Sequence, residues 1–166
     1  MTSMNMNLHF ENTTTADIPM IRAMENDAEN SVFIFQYSVQ EHQANIDSDD
    51  HKYLKVIDNQ GVIVGFIILR GLRTQEDNLE LKRIVINAKG KGYGKQTLKL
   101  LQNLAFKELN IHRLWLDVFD DNPRAIHVYE SVGFIKEGTK RECVKTKEGY
   151  RNLILMSILK TEFENS

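Results

Sequence analysis

The sequence predicts an α/β domain whose sheet carries helices on both faces, and three observations support this prediction. Short runs rich in β-branched residues alternate with helical patterns along the 166 residues. A strand-like run at 78–86 passes through closely spaced glycines into the strongest helical pattern, at 92–109. No internal repeat, low-complexity tract or linker divides the sequence, so we expect a single domain over residues 1–166.

The N-terminal third predicts a strand and two helices. Residues 8–14 form the strand, and Thr15 or Asp17 caps a helix that runs to about residue 27. Pro19 suits the first turn of that helix, because an N–H at this position would have no partner within the helix. Beyond it lie an apolar run at 32–35, a helical pattern at 38–46 and an acidic turn at 47–50.

The middle of the chain predicts a β-hairpin, a further strand and a long helix. The hairpin joins residues 52–57 to 62–69, because turn-forming residues at 58–61 separate two β-branched runs. The strand at 78–86 follows. The helix at 92–109 is predicted from apolar residues that recur at helical spacing, namely Leu98, Leu101, Ala105 and Leu109.

The C-terminal third predicts three strands and one short helix. In the strand at 113–119, the apolar residues Leu114, Leu116 and Val118 alternate with a second set that contains Trp115, Asp117 and Phe119. We therefore expect both faces of this strand to be covered and Trp115 to lie in the core. A short helix at 122–132 ends at Gly133. The last two strands, at 134–137 and 150–159, are joined through a turn at 147–149.

Composition and charge argue against several classes of protein. A charged fraction of 27% and an apolar fraction of 42% are typical of a folded domain, and a net charge of −2 gives no reason to expect nucleic acid as a partner. The single cysteine, Cys143, cannot form an internal disulfide, and no Cys/His spacing indicates a metal site. Neither a signal peptide nor an apolar run of about 20 residues is visible, so we expect a cytoplasmic protein with no membrane partner.

The glycine-rich segment after residue 88 has the layout of a phosphate-binding loop, because glycines let backbone N–H groups approach an anion at a helix N-terminus. It fits neither a Walker A loop, which needs glycine where Lys89 stands, nor the Rossmann fingerprint, whose third glycine would come one residue later. A connection without a ligand is the alternative, although three such glycines cost ~0.5–1 kcal/mol each. The candidate binding residues are Lys89, Gly90, Lys91, Gly92, Tyr93, Gly94 and Lys95.

A second segment, at 122–134, narrows this interpretation. With the glycine loop, it resembles the two motifs of the GNAT superfamily of N-acetyltransferases, although lysine replaces the usual glutamine or arginine at position 89. The most similar branch holds ribosomal-protein alanine acetyltransferases and spermidine acetyltransferases, and the resemblance covers about residues 54–160. It implies a central mixed sheet of six or seven strands with one splayed parallel pair. The matching residues are Lys89, Gly92, Gly94, Asn122, Ala125, Tyr129, Gly133 and Phe134.

The resemblance also implies the ligand and its position. Acetyl-CoA lies between the splayed strands, with its pyrophosphate on the glycine loop. Its pantetheine arm pairs with backbone groups of Ile84, Val85 and Ile86. Asn122 caps its helix, contacts the cofactor arm through its amide, or does both. No metal is implied.

Two catalytic residues follow from the same resemblance. Tyr129 protonates the leaving thiolate, a task that suits a phenol with a pKa of about 10; the alternative is a core tyrosine that packs its helix on the sheet. Glu80 is the candidate general base, and its alternative is a strand carboxylate that faces solvent or pairs with Lys82 or Arg83.

The implied function is transfer of an acetyl group from acetyl-CoA to a primary amine, such as a polyamine, an amino acid or a protein N-terminus. Acidic residues in the N-terminal third, Glu25, Asp27, Glu29 and those at 47–50, weakly favour a cationic acceptor. A non-catalytic acyl-CoA-binding or sensing module is the alternative, since it would keep the glycine loop without needing Tyr129. A nucleotide-binding protein is a third interpretation. Relatives commonly self-associate, so a homodimer is a further expectation.

Overall fold

The computed structural model describes residues 7–27, 36–87 and 90–166, and its strands form one mixed sheet. The strands are β1 (Leu8–Asn12), β2 (His51–Asp58), β3 (Ile63–Arg70), β4 (Asn78–Ile86), β5 (Arg113–Phe119), β6 (Ile135–Thr146) and β7 (Gly149–Leu159). Their order in the sheet is β1-β2-β3-β4-β5-β7-β6, and the neighbours pair antiparallel except for β4 and β5, which run parallel. The predicted mixed sheet is confirmed, with seven strands in the described residues.

Helices pack on both faces of the sheet, as predicted. They are α1 (Ile18–Glu25), α2 (Val39–Asp47), α3 (Tyr93–Asn103), α4 (Pro123–Ser131) and α5 (Lys160–Glu164). In β3, Ile67 joins a core cluster with Leu101 of α3, whereas the next residue, Ile68, joins a second cluster with Ile21 of α1. Successive residues of a strand point to opposite faces. We therefore call the two sides of the sheet the α1 face and the α3 face.

The strands that matter most for the site begin and end where the sequence predicts. β4 and β5 have the predicted bounds, and the β2–β3 hairpin lies within one or two residues of its prediction. The hairpin turn forms because the Asp58 carboxylate accepts hydrogen bonds from the backbone N–H groups of Gln60 and Val62, each at 2.9 Å.

Two elements differ from the prediction. α3 ends at Asn103 and continues as a π-helical turn, Leu104–Glu108, in which the Leu109 N–H donates to the Leu104 carbonyl at 2.9 Å. β6 continues well past residue 137. Its added residues are largely exposed at the sheet edge, so they lack the apolar alternation that marks a half-buried strand.

The start of α1 and the packing of β5 add details to the prediction. Asp17, one of the two predicted caps, is the N-cap residue of α1. A 3₁₀ turn, Thr15–Asp17, precedes it, and the Thr14 N–H donates to the Asp17 carboxylate at 2.9 Å. Trp115 is half-buried on the α1 face rather than in the core, so only the α3 face of β5 is fully covered. None of the described helices is long and apolar enough to cross a membrane. The apolar run at 32–35 lies outside the described residues.

Candidate active site

The parallel strands β4 and β5 separate in the middle of the sheet. Their pairing joins Asn78–Glu80 to Arg113–Trp115 and then stops, although β4 continues to Ile86 and β5 to Phe119. Beyond that point the facing strand edges lack a strand partner, and such edges can bind an extended ligand through backbone hydrogen bonds. The predicted splayed pair is confirmed.

A bulge on the other edge of β4 accompanies the separation. Leu81 pairs with Leu69 of β3, but the next pair joins Arg83 to Ile68, so Lys82 is an extra residue on β4. A bulge bends its strand and increases the local twist. It lies just beyond the last residue that pairs with β5, so the stretch with the predicted pantetheine contacts, residues 84–86, borders the opening.

The glycine loop leads from β4 into α3. Gly92 is the N-cap of α3 and has a left-handed backbone with φ of 71°, a conformation that favours glycine. The first intrahelical bond joins the Gln96 N–H to the Gly92 carbonyl at 3.1 Å, which leaves the N–H groups of residues 93–95 without an acceptor in the helix. A Cβ on Gly94 would meet no atom within 4 Å, so the first turn is open to a ligand there.

The remaining residues predicted for this loop surround that open turn. Gly90 has φ of 79°, and the side chains of Lys91 and Lys95 are exposed. Tyr93, the first residue of α3, packs in one cluster with Ile84 and Ile86 of β4. The loop therefore adjoins the strand edge that borders the opening. Lys89 lies outside the described residues.

Asn122 begins α4. Its side-chain oxygen accepts a hydrogen bond from the Ala125 N–H at 3.3 Å, which satisfies one of the free donors at the start of the helix. This cap gives the residue a structural role. Its contact with the cofactor arm stays a prediction.

Tyr129 lies on α4 and packs edge-to-face against Phe134, with ring centroids 5.8 Å apart. Burial raises the pKa of Tyr129 to about 12, although some of the side chain remains accessible. Its hydroxyl forms no hydrogen bond with any described residue. The phenol is therefore protonated at neutral pH and free to donate to a ligand.

Glu80 lies on the α1 face, opposite Trp115 at the last pair before the strands separate. Its carboxylate is 6% exposed, and Oε1 accepts a hydrogen bond from Nε of Arg70 at 2.8 Å. A terminal guanidinium nitrogen of Arg70 lies 2.7 Å from the same oxygen in an ion pair. The partner is thus Arg70 of β3, not Lys82 or Arg83.

A buried ionic cluster, made of Glu25, Arg83, His42 and Tyr53, joins α1 and α2 to β2 and β4. The Glu25 carboxylate pairs with the Arg83 guanidinium and with His42 Nε2, the latter at 2.6 Å. His42 Nδ1 lies 2.7 Å from the Tyr53 hydroxyl. A tautomer with the proton on Nε2 satisfies both contacts, since burial raises the pKa of Tyr53 to about 12 and keeps its O–H available as a donor.

This cluster corrects one expectation about the acceptor. Glu25 is 1% exposed, and its carboxylate pairs with Arg83. Because it is both buried and paired, it does not face a cationic acceptor. Asp49 pairs with Arg73 at 3.2 Å, and Glu29 lies outside the described residues.

Sequence reasoning missed Arg70 and Asp117 as neighbours of Glu80. Arg70 is opposite Glu80 in the β3–β4 register, and Asp117 lies two positions beyond Trp115 on β5. The only sequence signal for Arg70 is the register between β3 and β4, because that register follows from where β3 ends and β4 begins. Within the described part of the chain, no group of three His, Cys, Asp or Glu side chains could hold a metal ion.

Comparison with known proteins gives consistent matches. The sequence pattern of the acetyltransferase (GNAT) family matches residues 18–134. Spermidine N(1)-acetyltransferase of Vibrio cholerae serotype O1 is 29% identical over 111 residues, and its counterpart in Escherichia coli K12 is 35% identical over 74 residues. These alignments cover 66% and 45% of this chain and 64% and 40% of the two relatives, so the chain matches only part of their length.

A solved structure resembles the whole fold. Spermidine N-acetyltransferase from Vibrio cholerae in complex with CoA and spermine superposes with a TM-score of 0.86 at 25% sequence identity. The superposition covers 97% of this chain and 100% of that chain.

Proposed function

Because this chain belongs to the GNAT family of acetyltransferases, we propose that it transfers the acetyl group of acetyl-CoA directly to a primary amine in a ternary complex. The observation that carries the proposal is the opening between β4 and β5, which adjoins the start of α3. Neither feature alone specifies a ligand. Together they suit a molecule with an extended amide arm and a pyrophosphate.

The residues around the opening fit the two ends of that molecule. The unpaired edge of β4 at Ile84, Val85 and Ile86 offers backbone groups to the amides of the pantetheine arm. The free N–H groups at the start of α3 and the exposed side chains of Lys91 and Lys95 favour the negative charge of the pyrophosphate.

Two side chains carry the proposed proton transfers. The thioester supplies an activated carbonyl carbon, to which the amine nitrogen bonds as the carbon–sulfur bond breaks. Glu80 would accept the proton that the amine loses, directly or through water. Tyr129 would donate to the thiolate that leaves, and its unbonded hydroxyl supports this role.

An assay of acetyl-CoA-dependent thiol release over a panel of amines tests the proposal. The panel holds polyamines, amino acids, aminoglycosides and ribosomal N-terminal peptides, and polyamines belong in it because two relatives are spermidine acetyltransferases. We expect turnover with at least one class. Absence of turnover with every class would contradict the enzymatic proposal.

The ion pair between Glu80 and Arg70 favours a second candidate, a non-catalytic acyl-CoA-binding or sensing module, because it gives this carboxylate a structural role that needs no catalysis. Titration with acetyl-CoA separates the candidates. Binding without turnover over the whole panel would favour the sensing module, and binding of ATP or NAD in place of acetyl-CoA would favour a nucleotide-binding protein.

The proposal extends to the cellular compartment and the oligomeric state of the protein. We place it in the cytoplasm, and the exposed free thiol of Cys143 suits a reducing compartment. We also propose a homodimer. It is supported by the edge position of β6, where Ile135 is 53% exposed, and sedimentation of the purified protein would test it.

A further inference from the structure

Lys82 is a half-buried cation that forms no ion pair with any described residue. It is the bulged residue of β4, two positions beyond Glu80, at the point where β4 leaves β5. Its ammonium group forms neither a hydrogen bond nor an ion pair with any described residue. A partly desolvated charge in this state is unfavourable until an anion reaches it.

The charged groups near Lys82 are of both signs. Burial lowers the pKa of the Lys82 amine; Glu80 and Asp117 oppose this effect, whereas Arg70 and Arg83 reinforce it. Glu80 forms its ion pair with Arg70 and Asp117 forms its ion pair with Lys140. Neither carboxylate is within ion-pair distance of Lys82.

The position of Lys82 relates its unpaired ammonium group to the acceptor. α3 and its open N-terminus lie on the α3 face, so a ligand whose pyrophosphate binds there leaves the α1 face free for the acceptor. Glu80, Lys82 and Asp117 flank the opening on the α1 face. An amine that approaches Glu80 therefore comes close to the Lys82 ammonium.

We propose that Lys82 binds a carboxylate of the acceptor, so that the substrate is an amine that also carries an acid group, as a free amino acid does. This inference rests on the proposed acetyl transfer and specifies its acceptor. The carboxylate supplies the anion that Lys82 lacks. A polyamine offers no anion to Lys82, which separates this chain from its two spermidine-acetylating relatives.

Pairs of acceptors that differ only by the carboxylate test the proposal. Lysine and cadaverine share one diamine skeleton, as do ornithine and putrescine, and kcat/KM for each is measured at saturating acetyl-CoA with spermidine as a further acceptor. The wild-type protein should prefer the amino acid of each pair. Lys82→Gln should reduce that preference by about 10- to 100-fold, the usual size of a charge-assisted hydrogen bond, while the KM for acetyl-CoA stays unchanged.

Two further variants exclude a general effect on the fold. Lys82→Arg keeps the charge and should keep most of the preference, whereas Lys136→Gln removes an exposed lysine elsewhere and should leave it intact. Preference for the diamine or for spermidine, or a preference that Lys82→Gln does not alter, would overturn the inference while acetyl transfer stands. No turnover with any of the five acceptors or the wider panel would overturn both.

Discussion

At the scale of single residues, the surroundings of Tyr129 determine how it can assist a leaving thiolate. A free thiol has a pKa of about 8.5. Because burial raises the pKa of Tyr129 to about 12, complete transfer of its proton to a thiolate is unfavourable in this environment. The residue would therefore act mainly as a hydrogen-bond donor to the charge that develops on sulfur.

We predict that Tyr129→Phe lowers kcat by about 100-fold, at the lower end of general acid catalysis, and leaves the KM for acetyl-CoA nearly unchanged. The melting temperature should also change little, since the hydroxyl forms no hydrogen bond with a described residue. Steady-state kinetics and thermal unfolding provide the measurements. Tyr150→Phe, at a tyrosine that is 61% exposed, is the matched control. A variant with wild-type kcat would remove Tyr129 from the mechanism.

Besides its proposed role as the base, Glu80 forms an ion pair with Arg70. We predict that Glu80→Gln lowers kcat/KM for the acceptor by about 100-fold near neutral pH. The loss should shrink as the pH rises toward the pKa of the acceptor amine, because the amine then arrives deprotonated. The pH–rate profiles of the variant, of the wild type and of Glu76→Gln, an exposed control, make the comparison. Superimposable profiles for all three would exclude Glu80 as the base.

Side-chain partners were less predictable than motif positions. The glycines, Asn122 and Tyr129 could be located because the motif fixes their spacing along the chain. Arg70 could not, since its pairing with Glu80 depends on the β3–β4 register. The sequence did contain a signal for the burial of Glu25. Glu25 follows the buried Ile21 by four residues on α1, so both side chains lie on the same face of the helix.

At the scale of elements, the buried ionic cluster couples the helices of the α1 face to the bulged part of β4. Glu25 of α1 and His42 of α2 both contact this cluster, and Arg83 follows the extra residue of the bulge directly. Breaking a buried ion pair costs about 3–5 kcal/mol, whereas removal of both charges is often much less costly. The cluster therefore predicts strong non-additivity.

We predict that Arg83→Met lowers the free energy of unfolding by about 3–5 kcal/mol and that Glu25→Gln/Arg83→Met is more stable than Arg83→Met alone. The glutamine oxygen still accepts the hydrogen bond from His42, and no buried charge is left without a partner. Urea unfolding of the two single variants and the double variant completes the cycle. The exposed pair Asp49 and Arg73 serves as a control and should give a coupling below about 1 kcal/mol. Additive costs at Glu25 and Arg83 would contradict the coupling.

The elements themselves differ in how well the sequence specifies them. β4 and β5 have strong apolar patterns because their α3 faces are buried, and their bounds were predicted correctly. The π-helical turn after Asn103 keeps apolar residues on the core side, so a helical pattern does not reveal the change of hydrogen bonding. The splayed pair depends on contacts between strands 35 residues apart, from Asn78 to Arg113, and only the family resemblance indicated it.

At the scale of the whole molecule, the opening between β4 and β5 interrupts an otherwise continuous sheet. A ligand that binds both facing edges should stabilise the fold as a unit. At 100 times its dissociation constant, a ligand adds about 2.7 kcal/mol to the free energy of unfolding. For a domain of this size that corresponds to a rise in melting temperature of roughly 5–10 °C.

We predict that CoA at such a concentration produces this rise and slows amide hydrogen exchange at residues 84–86, where β4 lacks a strand partner. ATP and NAD at equal concentration should have little effect, since they lack the pantetheine arm. Thermal unfolding and hydrogen-exchange mass spectrometry measure the two responses. A similar rise with ATP would instead support a nucleotide-binding protein.

Alanine substitutions at two glycines distinguish an effect on ligand binding from an effect of backbone strain. Gly92, at the start of α3, and Gly61, in the β2–β3 turn, have φ of 71° and 80°, and a Cβ on either would meet no atom within 4 Å. Alanine at either position should therefore cost a similar 1–2 kcal/mol of backbone strain and lower the melting temperature of the free protein alike. Only Gly92→Ala should also reduce the rise that CoA causes, because it alters the loop proposed to hold the pyrophosphate. An equal CoA-induced rise in both variants would show that the conformation of Gly92 does not serve ligand binding.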